Sequence, residues 1–349
     1  MARLRGALVG CGFIAENGHL PAYGKHPESF EIVAVADANS ARRARAHALL
    51  PGAQIHESAE AMFAMPGLDF VDICVPPSDH ARLAHLAFDR GLHVLCEKPL
   101  AATPEDARRM LAHAARANRV LFPCHNYKRA PVIRAVRRVL DSGVIGQVNL
   151  VTLQTFRTTH ARGVPEWRPD WRRERRYSGG GIAMDHGSHT FYLAFDWLGG
   201  YPTAITAKMT TPSTYDTEDN LACTLTFPGG LASAHLSWTA GVRKVIYTIQ
   251  GATGGIRVED DEIEVCVRRS GADRASWARS TEMVSSEWMD AGHSVWFASL
   301  FDEFLASIER RDYAGREAKD SLACVELISA AYASARDASR ERALDLLAS

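Results

Sequence analysis

The turn after the first apolar segment constrains the fold of this chain more than any other feature. Leu4–Val9 is an apolar run typical of a buried strand, and Gly-Cys-Gly-Phe-Ile-Ala follows at 10–15. In such a G-x-G-x-x-A turn, the first glycine permits the tight bend and the second lets the backbone approach a pyrophosphate. The next helix presents its N-terminus to the phosphates. The candidate cofactor contacts here are Gly10, Gly12, Phe13 and Ile14.

The second apolar run ends on an acid. Residues 31–37 read as a strand that closes with Asp37, roughly 20 residues or more beyond the glycines. A carboxylate there hydrogen-bonds the ribose 2′-hydroxyl and repels a 2′-phosphate, which favours NAD over NADP. Arg42 and Arg43 leave NADP possible, because an arginine just beyond the acid can hold a phosphate. Asp37 is alternatively a helix N-cap, a role that Asn39 also fits.

Strands and helices alternate through the first 123 residues. Further strand candidates lie at 53–56, 70–75, 93–96 and 119–123, and helix candidates lie at 41–50, 81–90 and after Thr103. This alternation predicts an α/β fold with a parallel, doubly wound sheet. We therefore assign residues 1–123 to a dinucleotide-binding Rossmann domain.

A charged pair stands at the end of the fifth predicted strand. Glu97, Lys98 and Pro99 directly follow the apolar run at 93–96. Buried charge is costly unless it is paired or used, and the proline keeps Lys98 out of helical geometry. Ligands of open α/β sheets bind at this carboxyl edge. Lys98 is therefore either a ligand-facing group or half of an ordinary ion pair at a strand end.

The second half of the chain is rich in strands. Candidates lie at 149–156, 204–210, 221–227, 232–238, 244–250, 255–258 and 262–267, whereas 270–286 is polar and predicts a loop. Amphipathic helices are expected at 294–308 and 321–339, packed back on the first domain. One face of such a sheet would be exposed, so pairing of copies through it is a natural solution.

An aspartate and a histidine share one face of the helix predicted over 178–198. Asp185 and His189 are four residues apart, and an aspartate beside an imidazole supplies a general base for neutral pH. A lone histidine on an apolar helix is more often a core residue. His186 is next in sequence, and its i+1 position turns it away from this face.

An irregular, arginine-rich segment precedes that helix. Residues 157–177 contain Trp167, Trp171 and seven arginines, among them Arg157. Tryptophan faces suit sugar rings, and arginines suit carboxylates or phosphates. A solvated loop or a subunit contact is an equally good interpretation for most of these arginines.

Composition excludes several classes of partner. The net charge is −1, which does not favour nucleic acid or an anionic membrane, and no apolar run is long enough to span a bilayer. The seven cysteines are scattered without a C-x-x-C pair, which is typical of core thiols in a reducing cytoplasm. We expect a cytoplasmic protein with no metal site, because no histidine spacing supports one.

Four motifs in this order resemble the Gfo/Idh/MocA oxidoreductases, the family of glucose–fructose oxidoreductase and inositol dehydrogenase. They are the turn at 10–15, Pro76-x-x-x-His80, the Glu97 to Pro99 triplet, and three glycines at 179–181 followed by Asp185 and His189. The resemblance implies a Rossmann domain and, over 124–349, a substrate-binding and oligomerisation domain. That second domain would be α+β with a large, mostly antiparallel open sheet, forming a homodimer or homotetramer.

The resemblance also assigns roles to residues. It makes Lys98, Asp185 and His189 the catalytic trio, and Tyr192 stands where many relatives carry an acid. The remaining implied cofactor contacts are Pro76, Pro77, His80, Glu97, Lys98 and Asn126. The candidate substrate contacts are Lys98, Tyr127, Arg157, Trp167, Trp171, Asp185, His186 and His189.

The reaction implied is hydride transfer between nicotinamide and a secondary alcohol of a sugar, a polyol or a sugar derivative. His189, oriented by Asp185, would move the hydroxyl proton, and Lys98 would stabilise the developing alkoxide. Two alternatives stay open. One is a net non-redox lyase, hydratase or glycosidase that recycles its NAD within each turnover, and the other is a non-enzymatic NAD or sugar sensor.

Overall fold

The computed structural model describes residues 3–269, 276–286, 288 and 292–346. Two compact units divide the chain. The first comprises Met1–Asn126, Ala161–Gly180 and Asp290–Val325, and the second comprises Tyr127–His160, Gly181–Met289 and Glu326–Ser349. In chain order, helices α1 to α10 are Leu20–Tyr23, Ser40–Leu49, Ala59–Phe63, Pro77–Asp89, Pro104–Ala117, Pro131–Asp141, Arg175–Ser178, Ile182–Leu198, Ser294–Arg310 and Arg316–Arg336.

A six-stranded parallel sheet forms the centre of the first unit. Its strand order is β3-β2-β1-β4-β5-β6, so the order reverses between β1 and β4, and ligands of such sheets bind outside the carboxyl ends of the strands at that point. The predicted Rossmann fold is confirmed. Strands β1 to β6 are Leu4–Val9, Phe30–Ala36, Gln54–His56, Phe70–Ile73, His93–Cys96 and Leu121–Pro123.

Helix boundaries in this unit follow local capping chemistry. The Thr103 side chain accepts the Asp106 N–H and caps α5, as the sequence indicates. Helix α4 was expected at 81–90 but begins at Pro77, with Pro76 in extended geometry before it. A proline is well suited to the first helical position, since its φ is already helical and its missing N–H is not needed there.

Helix α9 contributes an aromatic layer to the first unit. Its Phe297, Phe301 and Phe304 are buried together with Phe30 of β2 and Phe70 of β4. The Phe30 and Phe304 rings stack in parallel with centroids 6.3 Å apart. Burial of these rings explains why α9 belongs to the same compact unit as the Rossmann sheet.

A nine-stranded sheet forms the centre of the second unit, in the order β14-β13-β12-β11-β7-β10-β9-β8-β15. All of its described pairings are antiparallel except that of β7 with β10, which confirms the mostly antiparallel sheet. The nearly apolar helix α8 packs against β7, β9 and β10. Strands β7 to β15 are Val148–Phe156, Ala204–Thr210, Asn220–Phe227, Gly230–Ser237, Lys244–Gly251, Gly254–Glu259, Glu262–Arg268, Trp277–Met283 and Arg342–Ala343.

The loop prediction for 270–286 is wrong over part of its length. Residues 277–283 form β14, which pairs with β13 at one edge of the sheet. Its residues are mostly exposed, so backbone hydrogen bonds rather than a buried apolar face hold it, and no alternating pattern marks it in the sequence. Residues 270–275 lie outside the described part of the chain. Among the described helices, none has the length and apolar character needed to cross a membrane.

Candidate functional site

The glycine turn lies at the carboxyl end of β1. Gly10 has φ +88°, and a Cβ there would stand 2.8 Å from the carbonyl oxygen of Cys74, so only glycine fits. A Cβ on Gly12 would meet no atom of the described residues within 4 Å. Beyond the turn, Phe13 is 40% exposed and the Glu16 N–H donates to the Gly12 carbonyl at 3.0 Å. The turn therefore leaves open space of the kind a pyrophosphate needs.

Asp37 is held in place by the main chain. Its Oδ2 accepts the Cys11 N–H at 2.9 Å, and its Oδ1 accepts the Asn39 N–H at 2.8 Å. Asn39 caps α2 by accepting the N–H groups of Ala41 and Arg42, so the alternative interpretation of Asp37 as the N-cap is wrong. The carboxylate bridges the glycine turn and the start of α2, which is the place expected for a ribose-binding acid.

A π-helical turn over Ala15–His19 follows the glycine turn. A π-turn accommodates one extra residue, and such turns are frequent at functional sites. The His19 ring is fully buried here. Its Nδ1 lies 2.7 Å from Asp72 Oδ2, and its Nε2 lies 3.1 Å from Glu97 Oε1. The Tyr23 hydroxyl donates to the same Asp72 oxygen at 3.0 Å.

His19, Asp72 and Glu97 form a buried network of charged side chains in the first unit. Burial alone would lower the pKa of His19, but the charge of Asp72 and hydrogen bonds to Asp72 and Glu97 raise it to about 9. Burial likewise opposes ionisation of Glu97, but the hydrogen bond from His19 keeps the pKa of that carboxyl below its usual value. His19 is therefore an imidazolium at neutral pH, between two carboxylates.

The same network fixes the main chain at Lys98. Glu97 Oε2 accepts the Lys98 N–H at 3.0 Å, while Oε1 faces His19. Lys98 itself is partly exposed and is the second residue after β5. The two charged residues after this strand therefore differ in role. The Glu97 side chain is buried and bonded to His19, whereas Lys98 stands at the carboxyl edge of the sheet. His19 was not among the candidates from sequence, because its partners lie 53 and 78 residues away.

His80 lies inside the protein. Its ring is fully buried, with Nδ1 2.9 Å from the Pro99 carbonyl oxygen and Nε2 2.8 Å from that of Val75. Burial lowers the pKa of His80. The ring joins the segments that follow β4 and β5, and Pro76 and Pro77 form the start of α4 between them. His80 therefore helps to fix the main chain that follows β4 and β5 at the carboxyl edge of the sheet.

Asn126 stands just after β6 at the same edge. Its N–H donates to the Cys124 carbonyl at 2.9 Å, and the residue is 5% exposed. Its buried Oδ1 has no hydrogen-bond partner among the described residues. A buried acceptor of this kind is normally satisfied, so it fits a donor such as the carboxamide of a bound nicotinamide. Together with the turn at Gly12 and the acid at Asp37, these residues fit a dinucleotide.

The second unit positions Asp185 and His189 on α8. Gly181 is the N-cap of this helix, and the Glu218 carboxylate accepts the N–H groups of Gly181 and Ala183 at 2.9–3.0 Å. The Tyr332 hydroxyl also donates to Glu218 at 2.8 Å. An acid at a helix N-terminus satisfies orphan N–H groups and complements the helix dipole. Glu218 therefore anchors the first turn, where Asp185 lies.

Two tyrosines hold the His189 ring. Its Nδ1 lies 2.8 Å from the Tyr192 hydroxyl, which accepts the Tyr127 N–H at 3.1 Å. The Tyr127 ring stacks on the imidazole, with centroids 3.8 Å apart and planes 13° apart. Tyr192 was noted in the sequence only as a departure from an acid, so its role as the partner of His189 was missed. The imidazole is buried. The hydrogen bond to Tyr192 fixes it in the plane of the ring, and the stacked Tyr127 ring fixes it from one face.

His186 lies closer to Asp185 than its position in the helix suggests. The expectation that the i+1 spacing turns it away is wrong: its Nε2 is 3.6 Å from Asp185 Oδ2, and its ring centroid is 6.1 Å from that of His189. The second unit thus gathers one carboxylate and two imidazoles on α8. Lys98 belongs to the first unit, and the joint action of Lys98, Asp185 and His189 stays a prediction.

The arginine-rich segment is held by its own ion pairs. Within 161–180, Arg162 pairs with Asp170, and Arg168 and Arg176 pair with Glu174. The Arg172 guanidinium lies over the Trp171 ring at 4.3 Å. The aromatic residues take part as well: Trp167 meets Tyr177 edge to face at 5.6 Å. In the second unit, Arg157 donates to the Phe156 carbonyl at 2.9 Å.

Two family models match most of the chain. The model described as an oxidoreductase family with an NAD-binding Rossmann fold matches residues 4–125, and the Gfo/Idh/MocA C-terminal domain model matches residues 133–257. D-apiose dehydrogenase of Paraburkholderia graminis is 30% identical over 342 residues, which cover 96% of this chain and 88% of that protein. D-glucoside 3-dehydrogenase of Escherichia coli is 30% identical over 69% of this chain and 72% of that protein.

Solved structures share the whole architecture. Levoglucosan dehydrogenase in complex with NADH and levoglucosan has a TM-score of 0.86 at 21% identity, covering 99% of this chain and 100% of that one. The WlbA dehydrogenase of Chromobacterium violaceum, in complex with NADH and UDP-GlcNAcA, has a TM-score of 0.81 at 26% identity. That match covers 99% of this chain and 97% of the other. Both chains therefore carry the two-sheet fold described above.

Proposed function

This chain belongs to the Gfo/Idh/MocA oxidoreductase family and binds NAD through its Rossmann unit, and on that premise we propose that it interconverts a secondary alcohol of a sugar, a polyol or a sugar derivative with the corresponding ketone. The observation that carries the proposal is the position of Lys98. Lys98 follows β5 at the carboxyl edge of the sheet, two strands from β1 and its glycine turn. A buried charged network holds its main chain there.

The substrate class is supported by the relatives. D-apiose dehydrogenase and D-glucoside 3-dehydrogenase are named for oxidation of sugars, and the former aligns with nearly the whole of this chain. A solved structure of the same fold is a complex with NADH and levoglucosan. We propose that the contacts to the sugar are Lys98, Tyr127, Arg157, Trp167, Trp171, Asp185, His186 and His189.

In the proposed mechanism, the Lys98 amine and the His189 imidazole both act on the reacting hydroxyl group. The chemistry that NAD supplies when bound is hydride acceptance at the nicotinamide ring. The Lys98 ammonium donates a hydrogen bond to the reacting oxygen and stabilises negative charge there. His189 takes the hydroxyl proton in oxidation and returns it in reduction. Asp185, on the same face of α8, favours the imidazolium that forms, and the tyrosine pair keeps the ring aimed.

The experiment is a substrate panel with direct detection of reduced cofactor. Aldoses, glycosides, polyols, amino sugars and uronic acids are each incubated with NAD or NADP while absorbance at 340 nm is recorded. We expect NADH to accumulate with at least one sugar or polyol. Consumption of a substrate without net NADH would instead indicate a recycled cofactor, and binding without any turnover would indicate a sensor.

We also propose that the protein forms a homodimer or homotetramer through the outer face of the nine-stranded sheet. Leu150 of β7 and Leu231 of β10 are directly opposite each other in register, and each is 44% exposed. Adjacent exposed leucines on a sheet face favour burial against a second copy. Light scattering after size exclusion tests this, since Leu150→Lys should shift the assembly toward the monomer.

A cytoplasmic location completes the proposal. All seven cysteines are free thiols, and six of them are buried. Thiols of this kind persist in a reducing compartment. Fractionation of the producing cell with an antibody to the native chain is the direct measurement.

A further inference from the structure

Helix α2 carries three arginines close to the ribose-binding acid. Arg42, Arg43 and Arg45 lie five to eight residues after Asp37. A guanidinium binds phosphate through two parallel hydrogen bonds, so arginines beside the ribose ordinarily favour the 2′-phosphate of NADP. The structure commits each of these guanidinium groups to another partner.

The Arg42 side chain is buried and bonded to the glycine turn. It is 5% exposed, and its Nε donates to the Cys11 carbonyl at 2.7 Å. Its Nη2 donates to Glu16 Oε2 at 2.6 Å, and its Nη1 lies 3.7 Å from Glu166 Oε1. Burial would lower the pKa of Arg42, but the hydrogen bond to Glu16 raises it. The guanidinium is therefore charged and fully engaged inside the first unit.

Glu16 binds a second arginine with its other oxygen. Arg45 Nε donates to Glu16 Oε1 at 2.7 Å, and about half of the Arg45 side chain is exposed. These hydrogen bonds, led by that of Arg45, hold the pKa of Glu16 below its usual value, so the acid stays ionised. Glu16 lies on the π-helical turn directly after the cofactor-binding glycines. The Glu16 carboxylate thus pairs with two arginines, Arg42 and Arg45, beside the cofactor site.

Arg43 is engaged without Glu16. Its Nη1 donates to the carbonyl oxygens of Asp37 and Ala38 at 3.0 and 2.9 Å, and its Nη2 donates to Glu57 at 2.9 Å. Asp37 itself is fixed by two main-chain N–H groups. A 2′-phosphate placed beside Asp37 would therefore face a fixed carboxylate and three arginines that already have partners.

We propose that Glu16 is a specificity-determining residue, which excludes NADP by withholding Arg42 and Arg45 from the ribose 2′ position. Cofactor choice then has two parts. Asp37 repels a 2′-phosphate, and Glu16 removes the cations that would compensate for this repulsion. This inference rests on the dinucleotide site of the proposed function, and it is tested by binding rather than by turnover.

The test is calorimetric titration of NAD and NADP into five variants. Asp37→Ser removes the repulsion alone, and the double variant Asp37→Ser/Glu16→Gln also releases the arginines. We expect the ratio of the NADP to the NAD dissociation constant to fall by about tenfold from the single to the double variant, because one charge-assisted phosphate contact is gained. Adding Arg45→Met to the double variant should cancel that gain.

Two further variants, both in the Asp37→Ser background, serve as controls. Glu60→Gln breaks an exposed ion pair with Arg82 elsewhere in the same unit and should leave the ratio of Asp37→Ser unchanged. Glu16→Ala should reproduce the effect of Glu16→Gln, and circular dichroism verifies that each variant is folded. The proposal is overturned if the double variant has the same ratio as Asp37→Ser, or if Arg45→Met leaves the gain intact. Failure of the wild-type protein to bind either cofactor would overturn the dinucleotide site itself, which is a distinguishable result.

Discussion

Replacement of His19 by glutamine should remove a pH dependence from the stability of the protein. Both ring nitrogens of His19 face carboxylates, and its pKa is raised to about 9 in the folded protein. An unperturbed histidine has a pKa of about 6.5, and one pKa unit corresponds to about 1.4 kcal/mol. Protonated His19 therefore contributes about 3 kcal/mol to the free energy of unfolding.

The direction of the effect follows from the raised pKa. The contribution is fully present below about pH 6.5, where the histidine of the unfolded chain is also protonated, and it is lost as pH rises through about 9. Urea unfolding at pH 6.5 and 9.5 measures it. The free energy of unfolding should fall by about 3 kcal/mol more in the wild-type protein than in His19→Gln.

His93 provides a matched control. It is a partly buried histidine at the start of β5, but burial lowers its pKa to about 4, so it is neutral throughout this pH range. His93→Gln should therefore keep the wild-type pH dependence. If His19→Gln lost stability between pH 6.5 and 9.5 in parallel with the wild-type protein, the imidazolium between Asp72 and Glu97 would be refuted.

Three further predictions concern the site. Lys98→Ala should lower kcat by about a thousandfold or more while NAD still binds in titration, since the lysine acts on the reacting oxygen; near-full activity would rule this out. Tyr192→Phe should lower kcat by about tenfold with little change in KM and should shift the acid limb of the pH–rate profile, because His189 loses its partner at Nδ1. Gly12→Ala should keep the wild-type melting temperature but weaken NAD binding at least about tenfold, whereas Gly10→Ala should also destabilise the fold.

The fold of the first unit could be predicted from the sequence because its signals are local. Buried parallel strands such as His93–Cys96 are short apolar runs, and Thr103 marks a helix start by side-chain chemistry. Strand β14 carries no such signal. It lies at a sheet edge with mostly exposed side chains, so its hydrogen bonds to β13 are visible only in three dimensions.

The candidate site was predictable where a residue acts through its position in a motif. Asp37 and Lys98 each follow a strand, and the structure places both at the carboxyl edge. Partnerships over long separations were not predictable: His19 meets Glu97 across 78 residues, and Glu16 meets Arg42 across 26. The arginines of α2 leave NADP possible from the sequence, whereas their partners in the structure are the basis of the proposal that NADP is excluded.

Tracing the hydrogen on the oxidised carbon of the sugar tests the proposed hydride transfer most directly. Once the panel identifies a sugar, it is prepared with deuterium at the carbon that is oxidised and incubated with NAD and the wild-type enzyme. We predict that mass spectrometry finds one deuterium in each NADH formed, in equal amount to the ketone product. Product formation with the label retained in the sugar, or lost to water, would contradict hydride transfer to the nicotinamide as the reaction of this site.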